Sequence, residues 1–179
     1  MEVKDKAKAI FIIGEVNDQM CAQVLKALFE TDWAGDGIVE LTIYISSEGG
    51  SLPACFAIID AIDFVRDTFN VHVTTFGLGE AASAGFFLLI NGDTRGLFPS
   101  CMVFVHEHMT IDQDTSSYSE RKRVDKDQDM IYAMYIDYTA KRLGITPTRV
   151  RGLLKKNRYL KKSELIKYNI ITQGKKDNE

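Results

Sequence analysis

Cysteine, proline, histidine and tryptophan are all scarce in this chain of 179 residues. Cys21, Cys55 and Cys101 are odd in number, widely spaced and without a CxxC pair. That excludes a disulfide framework and a zinc knuckle, and it suits a reducing compartment. No excess of one charge exists either: 22 Lys and Arg stand against 25 Asp and Glu, a formal net charge of -3. This gives no electrostatic case for a nucleic-acid partner. Long apolar runs are also missing. The longest, Ala84 to Ile90 with one glycine, cannot cross a bilayer, and "AIFIIG" near the start is too short for a secretory leader. The expectation is a cytoplasmic protein with no membrane partner, no cofactor and no metal. No repeat, linker or low-complexity segment is present.

What is present alternates. "AIFIIGEV" reads as a buried strand, and Met20, Val24, Leu25, Leu28 and Phe29 follow at helical spacing. "DWAGDG" breaks that helix, and "IVELTIYIS" reads as a β-rich strand. Ser51 is then a plausible N-cap and Pro53 a first-turn residue of a second helix. Phe56, Ile59, Ile62 and Phe64–Val65 mark its buried side. "VHVTTFG" gives a strand, "GEAAS" a turn and "AGFFLLING" a helix; "GLFP" and "CMVFVHE" add two short strands. Units of this length predict a parallel sheet with crossover helices.

Beyond residue 110 the character changes. A polar stretch merges into "IYAMYIDYTAKRLG", with Ile131, Met134, Tyr135, Tyr138 and Arg142 on one face and Gly144 as a stop signal. The whole helix spans about 25 residues, about 37 Å at 1.5 Å each. Its charged first half does not suit burial in a small core, so its apolar stripe calls for a partner. "TPTRVRGLLKK" predicts a helix with Thr146 as N-cap and Pro147 at its first position, and "KSELIKYNIIT" a short capped helix and strand.

Two places invite chemistry. The glycines of "SSEGGS" let backbone N–H groups approach a ligand oxygen, and paired donors at a helix start can hold an oxyanion. The plainer account is a strand-to-helix turn. No phosphate loop is present, because neither Lys-Ser/Thr nor GxGxxG accompanies the glycines. Ser83 sits among Gly and Ala residues before an apolar run, the physical setting of a nucleophile elbow without its motif. The plainer account there is a helix N-cap. A nucleophilic serine needs a base, and the histidines are His72, His106 and His108. His106 and His108 share a strand face, so a metal pair is conceivable, but no third ligand has metal-like spacing.

Four segments in order, "IYISSEGGSLPACFAIIDAIDFV", "FGLGEAASAGFFLLINGDTRGLFP", "MVFVHEHM" and "LLKKNRYLKKSELIKYNII", resemble the Clp protease proteolytic subunit, ClpP, over about residues 9 to 173. The resemblance implies a ClpP/crotonase-type α/β fold over residues 1–179. A head from about 9–110 and 144–173 would carry a projecting handle helix from about Tyr118 to Leu143. It implies heptameric rings, stacked in pairs, that enclose a chamber for ATP-dependent-type degradation of unfolded polypeptides or peptides. A Clp-type ATPase or a ClpP paralogue would be the partner.

Position by position, the resemblance makes Ser83 the nucleophile and His106 the general base, with Gly50 and Ala84 as the oxyanion-hole donors. The third triad position falls on Asn157, where most of the family has Asp. Glu48 stands where the family has Pro, Glu80 where Gln is usual, and "HEH" where it has His-Gln-Pro. About eight residues precede the first strand, in place of a longer gating segment. These departures bear on rate, peptide preference and gating. They also keep open a weakly active or inactive ring subunit that assembles with an active paralogue. An acyl-CoA enzyme of the crotonase type fits less well with the GEAAS serine and the histidine after "MVFV", and a membrane-anchored Ser-Lys peptidase lacks its spanning segment.

Overall fold

Runs of β-branched and aliphatic residues alternate with capped amphipathic helices, and in the computed structural model these become a six-stranded sheet with crossover helices. The structure describes residues 6–107 and 118–172; for 118–125 it describes the backbone alone. The elements are β1 (Lys6–Ile13), α1 (Asp18–Phe29), β2 (Ile38–Ser47), α2 (Leu52–Phe69), β3 (His72–Ala82), α3 (Ala84–Ile90), β4 (Thr94–Leu97) and β5 (Met102–Val105). They continue with α4 (Tyr118–Leu143), α5 (Pro147–Leu154), β6 (Arg158–Tyr159) and α6 (Lys162–Lys167). The chain divides into two units, one of Met1–Phe104 with Tyr159–Glu179, the other of Val105–Arg158.

In the first unit the pairings β1–β2, β2–β3, β3–β4 and β3–β5 are all parallel, as the alternation predicts. Alternate residues in the second half of β1 and along β2 point into the core: Ile10 and Ile12, then Leu41, Ile43 and Ile45, are buried. α1 and α2 pack together over that face. On the other face Phe11, Tyr44 and Phe76 stack in a ladder, ring centroids 5.2 and 5.9 Å apart. α1 starts on Asn17, whose side chain accepts from Met20 N at 2.9 Å, and α2 on Ser51, which accepts from Ala54 N. Arg95, itself buried, donates to the carbonyls of Gly92, Asn169 and Ile170, and so ties the C-terminal segment to the sheet.

Three expectations need correction. "GEAAS" is not a turn: Gly79 to Ala82 complete β3, and the chain turns only at Ser83. The reason is that β3 changes neighbours. Thr74–Gly77 pair with β4, and Glu80–Ala82 pair with β5, so small residues lie between strands where bulk would not fit. Gly77 illustrates this, since a Cβ there would lie 2.5 Å from Leu97 Cδ2 and 2.8 Å from Cys101 Sγ. Phe64 lies outside the core of α2, half exposed beside Phe29 and Phe69. Among the described residues no strand follows α6; Ile170 is buried and Thr172 bonds to Arg95 through backbone and hydroxyl instead.

In the second unit α4 has the expected bounds. Gly144 closes it with φ +63, and Ile145 N donates to Ala140 O at 3.1 Å. Thr146 caps α5 by accepting from Arg149 N, with Pro147 in its first turn. α5 packs on α4, and Val150, Leu153 and Leu154 are buried, as are Tyr135, Ile136, Thr139 and Leu143. The buried face of α4 is therefore turned from the expected stripe: Tyr135 is on it, while Met134 is half exposed.

Candidate active site

At the end of β2 the chain makes a turn that only glycine tolerates. Gly49 and Gly50 have φ of +109 and +137. Gly49 N donates to Ser47 Oγ at 3.0 Å. Val16 holds the turn from the other side, with Val16 N on Gly49 O and Ser51 N on Val16 O, both at 2.7 Å. A Cβ on Gly50 would run into Val16 O and come within 3.0 Å of Glu15 Cγ. The turn is thus pinned between β2, Val16 and α2.

Ser83 faces it. The register Ser47↔Ala81 sets the end of β3 alongside the end of β2, and Ala82↔Phe104 sets it against β5. Ser83 then adopts φ 51 and ψ -116. Such a backbone costs a non-glycine residue about 1–3 kcal/mol and persists only where its surroundings impose it. Here Ser83 N donates to Phe104 O at 3.3 Å and Phe86 N to Ser83 O at 3.0 Å. A Cβ on Gly49 would lie 2.6 Å from Ser83 Cβ and 3.1 Å from Ala84 N, so glycine is what lets the two turns touch. Gly85 allows a second close approach, since a Cβ there would lie 2.9 Å from Ser47 O. Behind them the Cys55 thiol packs against Ala84 O at 3.4 Å.

The plainer account of Ser83 fails at this point. Its side chain makes no capping hydrogen bond to α3, so helix capping does not explain the serine. The first N–H groups of a helix have no intrahelical acceptor. Neither Ala84 N–H nor Gly50 N–H has an acceptor among the described residues. A half-buried serine and two unspent backbone donors therefore share one small-residue corner.

The segments that build the corner carry three glutamates: Glu15 against Gly50, Glu48 just before the glycine pair and Glu80 on β3. Glu15 and Glu48 are exposed and Glu80 is half buried. Tyr159 OH donates to Glu80 Oε1 at 2.7 Å, its ring edge-on to Phe104 at 5.1 Å, and Leu160 N bonds Val103 O beside it. The bond to Glu80, with some burial, raises the Tyr159 phenol above its ordinary range. Burial, aided by the Glu80 charge, pushes the Cys101 thiol up to about 11. Burial also raises Cys21 and Cys55, so none of the three is an activated thiolate at neutral pH.

The two remaining candidates belong to the second unit. His106 is half buried and directly follows β5. Its neighbour Glu107 accepts from Tyr132 OH of α4 at 3.1 Å, which together with burial raises that phenol. Asn157 is exposed, with φ 45, and its N–H donates to Leu154 O at 3.2 Å. Asparagine suits that left-handed position better than most residues do. His108 lies outside the described residues. Among the described residues no three His, Cys, Asp or Glu side chains gather as a metal site, and no helix is long and apolar enough to cross a membrane.

The structure brings the sequence candidates Ser83, Gly50 and Ala84 together, and adds to them Ser47, the contact of Gly49 with Ser83, and Tyr159. The pairing of two small-residue turns was the signal for the Gly49–Ser83 contact. Tyr159 gives no local signal, because its contact with Glu80 spans 79 positions. A family model described as Clp protease matches residues 2–174.

Proposed function

The chain belongs to the Clp protease family, and from that premise we propose that it is a serine endopeptidase subunit of a self-compartmentalised ring protease. Ser83 Oγ attacks the peptide carbonyl as His106 takes its proton. The N–H groups of Gly50 and Ala84 receive the oxyanion, and His106 then passes the proton to the leaving amine. Asn157 orients His106 through a hydrogen bond without adding charge. The observation that carries this reading is the Ser83 corner: a strained, uncapped serine against a glycine turn, with two unspent N–H donors. Chain order supports the base, since His106 follows β5, whose Phe104 pairs with Ala82.

The subunit forms heptameric rings, stacked in pairs, with α4 as the handle of a single peptidase domain. Apolar side chains that one copy leaves exposed support assembly; Phe11, Met130 and Met134 are 62, 67 and 49 % exposed. A Clp-type ATPase would feed unfolded chains to the chamber. A serine-directed fluorophosphonate should label Ser83 alone, and Ser83→Ala should abolish labelling and peptide hydrolysis with the particle intact. Labelling that survives in Ser83→Ala rejects the assignment, and a monomer by light scattering rejects the ring. A second reading, a weakly active subunit assembling with an active ClpP paralogue, is favoured by Asn157 and by Glu48 beside the oxyanion turn. It predicts slow labelling and slow turnover in isolation.

A further inference from the structure

Three carboxylates belong to the segments that build the Ser83 corner, each on a different element. Glu15, from the loop after β1, lies against the Gly50 backbone. Glu48 is the residue before the glycine pair, on the turn whose Gly49 touches Ser83. Glu80 is on β3, three residues before Ser83, and its carboxylate is fixed by the Tyr159 hydroxyl. Among the described residues none of the three pairs with Lys or Arg; ion pairs of this unit include those of Lys26 with Glu30 and of Arg66 with Asp63 and Asp93. The donor to Glu80 is a neutral hydroxyl and not a cation. The segments that build the corner therefore carry three carboxylates with no cationic partner among the described residues.

We infer that this acidic rim makes the site select peptides with Lys or Arg flanking the scissile bond. The inference rests on the serine peptidase reading above and adds the substrate class to it. Near a solvated surface, a charge about 8 Å from another changes binding by roughly two- to threefold. Three acting on one cationic side chain give roughly tenfold. Salt should erode this, because the screening length falls from about 30 Å at 0.01 M to about 3 Å at 1 M.

The test uses fluorogenic peptides that differ only in Lys, Leu or Glu on the acyl side of the cleaved bond. The expected order of kcat/KM is Lys, then Leu, then Glu, with Lys about tenfold above Leu at low salt and nearly level at high salt. Glu15→Gln, Glu48→Gln and Glu80→Gln together should bring the Lys:Leu ratio close to one. Glu80→Gln keeps an acceptor for Tyr159, so the fold is preserved while the charge is lost. If turnover is too slow, labelling rates of a cationic and a neutral fluorophosphonate give the same ratio. A Lys:Leu or cationic:neutral ratio that the triple variant leaves unchanged, with Ser83 still labelled, overturns the acidic-rim inference alone. Absence of any Ser83 labelling overturns the peptidase reading, and the inference with it.

Discussion

The two units of the chain are built on opposite principles. In the first, strands far apart in sequence pair in parallel, and aliphatic side chains such as Ile12, Leu41, Ile45 and Ile62 lose all exposure. In the second, a 26-residue helix rich in charge and a short helix after it meet through local contacts, over a modest buried set. That set includes the Thr139 hydroxyl, which is buried and has no hydrogen-bond partner among the described residues. The difference teaches where a strained backbone can be kept. Ser83 and the two glycines opposite it need surroundings that over-determine their conformation, and only non-local packing supplies that. The left-handed residues of the second unit, Gly144 and Asn157, sit instead at exposed helix ends, where strain is relieved by residue type.

The contrast is broken most directly by Ser83→Ala. It removes one oxygen from a small-residue corner, so the particle should survive, while peptide hydrolysis should fall by about 10⁴-fold or more. Stopped assays of peptide turnover, with light scattering on the same sample, read both halves. If hydrolysis persists, the chemistry does not reside in the first unit.

Gly49→Ala comes next. The added methyl meets Ser83 Cβ at 2.6 Å, Ala82 O at 3.0 Å and Ala84 N at 3.1 Å, and none of these is the end of a flexible side chain. With φ +109 the substitution is also strained in itself. A cost of about 3–4 kcal/mol is expected, seen as a lower urea midpoint, and Ser83 labelling should slow further than the lost stability explains. A neutral outcome would mean that the two turns are not held together.

How much of this was legible in the sequence follows from the range of the forces involved. Caps are local, so Ser51, Thr146 and the ends of α4 could be read from neighbouring residues. Parallel pairing follows from the spacing of strands and helices. The second half of β3 was not legible, because "GLGEAA" carries turn signals and becomes strand only between β2 and β5. Phe64 was misplaced because periodicity identifies an apolar face without saying how much of it the fold covers. At the site, Ser83 was legible as an oddity of composition, and the family resemblance supplied the role proposed for it. Its backbone strain, the contact with Gly49 and the Tyr159–Glu80 bond depend on residues brought together by the sheet.

Asn157→Asp tests whether the second unit contributes chemistry as well as support. In the proposed mechanism, a carboxylate there would stabilise the imidazolium formed when His106 takes the Ser83 proton. In serine proteases with a Ser-His-Asp triad, replacing that Asp by Asn costs about 10⁴-fold in kcat. A site adapted to Asn should recover less, so a rise of about 10- to 100-fold is expected. Asp also tolerates a left-handed backbone, so the fold should be unaffected. A flat rate would point to a carboxylate elsewhere. Asp112 and Asp114, outside the described residues, are the two to replace by Asn, each expected to lower the rate in that case. A fall in rate on Asn157→Asp, with the ring intact, would remove Asn157 from the triad.

The smallest effect is the sharpest test of how differently the units treat glycine. Gly152 lies in α5 and Gly144 ends α4, and a Cβ on either meets no heavy atom within 4 Å. Space is therefore equal, and only backbone conformation distinguishes them. Gly152 is helical, where alanine is favoured over glycine by up to about 1 kcal/mol. Its place near the helix end should halve that, so Gly152→Ala should stabilise by about 0.5 kcal/mol and leave kcat/KM unchanged. Gly144 has φ +63, so Gly144→Ala should destabilise by about 1 kcal/mol despite the open space. Opposite signs in paired urea titrations would show that conformation, not packing, governs glycine in this unit, the reverse of Gly49. If Gly152→Ala destabilised the assembled particle but not the dissociated chain, the methyl would be meeting another copy, and that face of α5 would lie in a subunit interface.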